Sequence, residues 1–191
     1  MISIQGIRYN PKNMHTDFSY MIRSTKYRDC LFLFNDNFED RNCRYPGGGS
    51  AKIRPYAFNK PCRAIGISTG WSIKEGGFKD LNDNVKQAIW SCFEHINLVL
   101  SQNPNINRVL FPCDVNDSNK IGFSIFSPSH TVADYINEKI SYIPKRLQNM
   151  SISKKAIIFC EDIIERERQC KKRVGWTDTE IQTLNNKRTR I

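Results

Sequence analysis

The chain has 191 residues, 29 Lys and Arg against 19 Asp and Glu, a formal net charge of +10, and 21 aromatics. That length suits one packed domain with an appendage, and the hydrophobic fraction of 39% excludes a disordered polymer. No apolar stretch reaches the roughly 18–20 residues of a membrane span, and the N-terminal residues lack a charged segment followed by an apolar one, so the expectation is a cytoplasmic protein without a membrane partner.

The seven cysteines (Cys30, Cys43, Cys62, Cys92, Cys113, Cys160 and Cys170) are odd in number, widely spread and without a CxxC pair. With only three histidines, His15, His95 and His130, this predicts reduced thiols in core and strand positions, no metal site and no cofactor.

In chain order, residues 30–34, CLFLF, are an uninterrupted apolar run that predicts a strand buried on both faces. The polar segment FNDN and the glycine triplet Gly47–Gly48–Gly49 follow, with a short helix expected to begin near Gly49 or Ser50 and to end at Pro55. Residues 63–68, RAIGIS, predict a second buried strand in which Gly66 allows a close backbone approach. Over 83–101, Val85, Ala88, Ile89, Cys92, Phe93, Ile96, Val99 and Leu100 recur at the spacing of one helical face. Asn82 or Asp83 caps that helix and Pro104 stops it. A third buried strand covers 106–114, a helix covers 131–143 up to Pro144, and a further helix covers 152–172.

This alternation predicts the α/β class: one layered domain with a mostly parallel sheet over residues 1–144, and a basic helical extension over 145–191. The extension carries 12 Lys and Arg against 6 Asp and Glu, and its clusters CKKRVGW and NNKRTRI would contact nucleic-acid phosphates.

Ligands in such folds lie where loops leave the carboxyl ends of strands, here 35–50, 69–79 and 113–120. Gly47, Gly48 and Gly49 expose backbone N–H groups of the kind that cradle phosphate, and a helix starting at Ser50 would add its dipole. No Walker Lys-Ser or Lys-Thr pair follows, and the pattern is not GxGxxG. The second loop carries Ser68, Thr69, Gly70 and Trp71 and then Gly76–Gly77–Phe78, which predicts a two-walled cleft in which Trp71, Phe78 or Tyr56 stacks on a base or sugar.

Residues 64–114, from AIGISTGWSIKEGGF to NRVLFPCD, resemble the distal half of a macro domain, and FNDN with GGGSA is similar to that family's other wall. The resemblance spans roughly residues 30–115; the segment Ala51–Arg63 between the two loops is shorter than its counterpart in the family. It implies recognition of ADP-ribose or a related NAD-derived nucleotide, with hydrolysis of an ADP-ribosyl bond in some members. Gly47, Gly48, Gly49 and Ser50 would then cradle one phosphate, while Ser68, Thr69, Gly70 and Trp71 hold the other and the distal ribose. Asn35 and Asn37 would bind ribose hydroxyls, Arg54 and Lys52 would neutralise pyrophosphate, Asp36 would be the general base, and Asp114 a second carboxylate at the rim. The chain also resembles phage and large-DNA-virus proteins that share an F-x-D-N … G-G-x-A … G-I-x-T-G pattern, which implies a viral protein but no activity.

Two other functions fit the residues. A nucleic-acid enzyme would use the basic extension, Trp176 and the carboxylates Asp36, Asp114 and Glu75. A nuclease usually gathers carboxylates around a divalent metal, and no D-x-D or E-x-K is present, whereas a DNA glycosylase needs only one carboxylate and an aromatic pocket. A non-catalytic protein that sequesters a nucleotide would use the same phosphate loops without Asp36 as a base.

Overall fold

Four segments pair side by side as strands: β1 (Ser3–Ile7), β2 (Cys30–Asn37), β3 (Ala64–Gly70) and β4 (Arg108–Pro112). The structure, a computed structural model, describes residues 2–123 and 127–146. All neighbouring strands are parallel, in the spatial order β1–β4–β2–β3. The helices are α1 (Phe18–Met21), α2 (Asp83–Gln102) and α3 (His130–Arg146), with a 3-10 turn at Thr25–Tyr27 and a 3-10 helix over Gly49–Phe58.

An interior strand covered on both faces reads as a continuous apolar run, and β2 does so through Phe34. Leu31 and Leu33 join the core formed with Val85, Ile89, Phe93 and Ile96 of α2 and Val132, Ile136 and Ile140 of α3. Cys30, Phe32 and Phe34 face the opposite way, onto Phe18 and Met21 of α1 and Ala51 and Ile53 of the 3-10 helix. The result is the expected α/β domain, three layers deep, with α2 and α3 on one side of the sheet and α1 with the 3-10 helix on the other.

Two features of the sheet position the site. First, the chain leaves β2 for the 3-10 helix on one face, whereas it leaves β3 for α2 and β4 for α3 on the other face. A reversal of this kind between adjacent parallel strands opens a crevice beyond their carboxyl ends. Second, pairing between β2 and β4 stops at Phe32 with Leu110. β2 stays with β3 as far as Asn37, and β4 stays with β1 as far as Pro112, so the sheet splits on that side.

Helix α2 starts where its sequence says, with the Asn82 side chain accepting from Val85 N–H at 3.0 Å. Two prolines are less disruptive than expected. The 3-10 helix continues past Pro55 to Phe58, and α3 passes Pro144 to Arg146. Pro144 lies in the last turn, where its missing N–H costs only the bond it would have made to the Ile140 carbonyl. β1 and α1 went unforeseen. The helix expected at 152–172, and nearly all of the basic extension, lie outside the described residues.

Among the described residues Cys30, Cys62, Cys92 and Cys113 are buried and Cys43 is half-buried, and none of the five is in a disulfide. No described helix is long and apolar enough to cross a membrane.

The start of β4 is tied to the start of β2 by Arg108, which donates to both carboxylate oxygens of Asp29, at 2.9 Å through Nε. Those hydrogen bonds hold the Asp29 carboxyl below its ordinary value. The stabilisation is complete above the unfolded carboxylate value of about 3.9 and disappears as pH falls through the lower folded value. Unfolding free energy measured by urea titration between about pH 2 and pH 4 should therefore rise with pH, and Asp29→Asn should flatten that rise.

Candidate functional site

The polar end of β2 carries the site. Side chains alternate along a strand, so Asp36 follows Phe32 and Phe34 onto the face of the 3-10 helix. There it meets Arg54 in a two-pronged contact: Nη2 donates to Oδ1 at 2.6 Å and Nε donates to Oδ2 at 3.0 Å. The Asn37 N–H also donates to Oδ1 at 3.0 Å, and Arg54 Nη1 donates to the Tyr45 carbonyl at 3.1 Å. Asp36 is 4% exposed and Arg54 is 5% exposed, so this is a buried ion pair.

Burial raises the pKa of the Asp36 carboxyl, against the lowering pull of Arg54 and of the Asn37 N–H. Burial works against the Arg54 charge as well, but the hydrogen bonds and charge of Asp36 outweigh it and raise the guanidinium further. A neutral Asp36 would leave a guanidinium uncompensated in the interior, so the pair stays ionised at neutral pH.

Two glycines make room for it. A Cβ on Gly66 of β3 would lie 2.8 Å from Asp36 Oδ2, and one on Gly47 would lie 2.8 Å from Arg54 Nη2. The close approach that the sequence suggested at Gly66 is therefore to a carboxylate.

The glycine triplet curls over this pair. Gly47 N–H donates to the Ala51 carbonyl and Ala51 N–H donates to the Gly48 carbonyl, and Gly49 takes the left-handed conformation, with φ of 53°. Among the described residues nothing accepts from the backbone N–H groups of Gly48, Gly49 and Ser50. Successive free amides at the mouth of a cleft form an anion-binding concavity.

The cleft they border encloses about 250 Å³ and is lined by Asn35, Asp36, Asn37 and Asp40 on one side, and by Gly47–Ala51 and Arg54 on the other, with Ile73 at its lip. Asn35 spans the split in the sheet, its Nδ2 donating to the Gly122 carbonyl at 2.7 Å. Its Oδ1 is enclosed and accepts no hydrogen bond among the described residues. Asn37 and Asp40 hold each other: Asn37 Nδ2 donates to Asp40 Oδ2 at 2.8 Å, and Asp40 N–H donates to Asn37 Oδ1 at 2.7 Å.

The first expected wall is therefore assembled from Asn35, Asp36, Asn37, Gly47, Gly48, Gly49, Ser50 and Arg54. Asp36, however, has both oxygens occupied and is placed to support the loop rather than to take a proton. Asp40 is the more accessible carboxylate in the cleft, its side chain 33% exposed. A carboxylate three residues beyond the strand end was the available signal, and it passed unused.

The second wall differs from the expectation. Ser68 is fully buried with Oγ 3.6 Å from Cys92 Sγ, and Thr69 Oγ1 donates to the Asp36 carbonyl at 3.2 Å. Neither residue lines the cleft; the β2–β3 ladder continues past them, slipping by one residue between Asp36 and Asn37. Gly70 is pressed against the Gly76 carbonyl. Phe78 is 1% exposed and meets Trp71 edge-on at 4.9 Å, so it anchors the loop in the core. Trp71 lines a neighbouring cleft. Lys52 is exposed, Tyr56 packs against the core beneath the 3-10 helix, and Glu75 pairs with Ser72 on the surface.

Asp114 lies outside the cleft, closing a turn in which its Oδ1 accepts from Asn116 N–H at 2.8 Å. The loop after β4 folds back on itself there through Asp114 N–H to Lys120 O and Gly122 N–H to Pro112 O. Among the described residues no three His, Cys, Asp or Glu side chains are grouped to hold a metal ion. Trp176 lies outside the described residues.

No protein-family model, curated protein or solved structure matches the chain.

The packing around the pair gives a sharp contrast between two glycines. Gly66→Ala should lower the unfolding free energy by about 3 kcal/mol or more, as expected when a buried pair is forced apart. Gly48→Ala should change it by less than about 0.5 kcal/mol, because a Cβ there meets nothing within 4 Å. Urea denaturation of the two variants side by side measures the difference. Phe78→Ala should cost about 3–5 kcal/mol in the same assay, the penalty for emptying a core site.

Proposed function

We propose that the protein binds a phosphate-bearing nucleotide, of the class of ADP-ribose or a related NAD derivative, in the cleft beyond the end of β2. The observation that carries this reading is the run of unpartnered N–H groups at Gly48, Gly49 and Ser50, bordering a cleft that also offers sugar-binding groups. Phosphate oxygens accept from those amides, and the first turn of the 3-10 helix adds a favourable dipole. The Asn37–Asp40 couple offers a contact for a ribose hydroxyl. The resemblance of FNDN and GGGSA to one wall of a macro domain implies the same ligand class.

In this reading Asp36 and Arg54 are the foundation of the phosphate loop, and Asp40 is the carboxylate that faces the sugar. If the bound ADP-ribosyl bond is hydrolysed, Asp40 is the general base. If not, the same contacts sequester the nucleotide.

Thermal unfolding with ADP-ribose, NAD, cyclic dinucleotides and short DNA tests the proposal, since a ligand bound only to the native state raises the melting temperature. ADP-ribose or a close relative should raise it, and Gly48→Glu, which sets a carboxylate at the amides without crowding the fold, should abolish the rise. Product release that is lost in Asp40→Asn marks a hydrolase, and binding without product marks a sequestering protein. Absence of any nucleotide effect, together with salt-sensitive DNA binding, would overturn the proposal in favour of a nucleic-acid function.

A further inference from the structure

A second cleft, of about 340 Å³, opens beside the first and is built from the same two loops. The end of β2 and the segment after it give Asn37 and Asp40 to the first cleft and Phe38 and Arg41 to the second, while the segment after β3 gives Ile73 to the first and Trp71 to the second. The two segments are bound together, Phe38 N–H donating to the Gly70 carbonyl at 2.8 Å and Glu39 N–H donating to the Trp71 carbonyl at 3.0 Å. They form a common ridge with a cleft on each flank.

The second cleft has the chemistry of a site for a flat heteroaromatic ring. The Arg41 guanidinium lies 3.8 Å from the centre of the Phe38 ring, and its Nη1 donates to Ser91 Oγ at 3.0 Å. Trp71 is fixed by edge-on contacts to Phe38 at 5.2 Å and to Phe78 at 4.9 Å. These planar groups are held by the protein itself, so a ligand would not have to order them.

The far wall is a stripe of α2: Asn84, Gln87, Ala88 and Ser91, at the spacing that puts residues on one helical face. Ala88 and Ser91 are small and leave room for a ring, while the exposed amides of Asn84 and Gln87 each supply a donor and an acceptor. Paired amide donors and acceptors match the edge of a purine. Arg41 is the one ionisable residue of this lining, in contrast to the carboxylates of the first cleft.

We propose that this second cleft is the nucleobase subsite of the ligand whose phosphates bind the Gly48–Ser50 amides: the base stacks beside Arg41 and Trp71, and Asn84 and Gln87 read its edge. The assignment rests on the proposed function for the link between the two clefts, although the base-binding chemistry of the second cleft stands on its own residues.

The test uses the full chain and two probes, ADP-ribose and adenosine, the latter lacking any phosphate. Adenosine should shift the indole N–H resonance of Trp71, identified by its disappearance in Trp71→Phe. The double variant Asn84→Ala/Gln87→Ala should remove that shift and weaken ADP-ribose binding by at least about tenfold, as expected for losing an edge-reading contact. Its effect on ribose 5-phosphate should be less than about twofold, a change far smaller than the loss of a base contact. Gly48→Glu should abolish ADP-ribose and ribose 5-phosphate binding and leave the adenosine shift in place. An adenosine shift without ADP-ribose binding would sustain the base subsite and overturn the phosphate reading. ADP-ribose binding that ignores the double variant, with no adenosine shift at Trp71, would overturn the base subsite alone, and no response to either probe would overturn both.

Discussion

The Asp36–Arg54 pair is the constraint from which the rest of the site follows. Both charges are removed from water, and each is stabilised there by the other, by two backbone groups, the Asn37 N–H and the Tyr45 carbonyl, and, for Arg54, by the Asp40 carboxylate at 3.9 Å. An arrangement that loses one partner leaves an isolated interior charge, which is far costlier than a lost surface contact. The pair therefore fixes the distance between the end of β2 and the 3-10 helix, and with it the path of the glycine triplet between them. Glycine at 47 and 66 is the steric condition for the pair, since any side chain at either position would enter the space of the guanidinium or the carboxylate.

The topology explains why this constraint lies at a cleft and not in a filled core. β2 runs between two strands whose following helices both lie on the opposite face from its own. Beyond Phe32 it loses β4 as a neighbour, so among the described residues its last residues pair with β3 on one edge and are tied on the other by the bond from Asn35 to Gly122. An apolar sequence could not continue through such a split without exposing itself, and the change from Phe34 to Asn35–Asp36–Asn37 occurs there. Polar residues at the end of a buried strand mark the place where the sheet opens.

Much of this was legible in the residues. Helix α2 announced itself by eight apolar positions on one face, and β2, β3 and β4 by runs without polar interruption, because burial imposes those patterns directly. β1 escaped notice because its residues are half-exposed at a sheet edge. The glycine triplet and FNDN pointed to the strand end beside which a cleft lies, but the partner of Asp36 lies 18 residues away, beyond the triplet, and spacing cannot show which charges meet. Ser68 and Thr69 looked like ligand groups because small hydroxyl residues at a strand end do line phosphate sites. Here the ladder to β2 persists past them, and with its slip at Asn37, Ser68 lies against Cys92 of α2 and Thr69 on the Asp36 carbonyl, a matter of register that composition does not encode. Trp71 and Arg41 belong to a cleft formed by residues 38–91, and only the folded chain brings them together.

The charge of the first cleft bears on what it can select. Its lining holds two carboxylates, Asp36 and Asp40, and one guanidinium, Arg54, whose charge is already matched by Asp36. A bare inorganic anion would gain the amides of Gly48–Ser50 but would also face the Asp40 carboxylate, which lies 3.9 Å from the Arg54 guanidinium. A ligand that carries hydroxyls beside its phosphate can donate to Asp40 and turn that repulsion into a hydrogen bond. On the proposed function, a ligand that also carries a flat base would extend across the ridge to Arg41 and Trp71. The two clefts would then discriminate by combination: no single group on the ligand would satisfy both, and an acidic residue placed next to an anion site would disfavour ligands that offer charge alone.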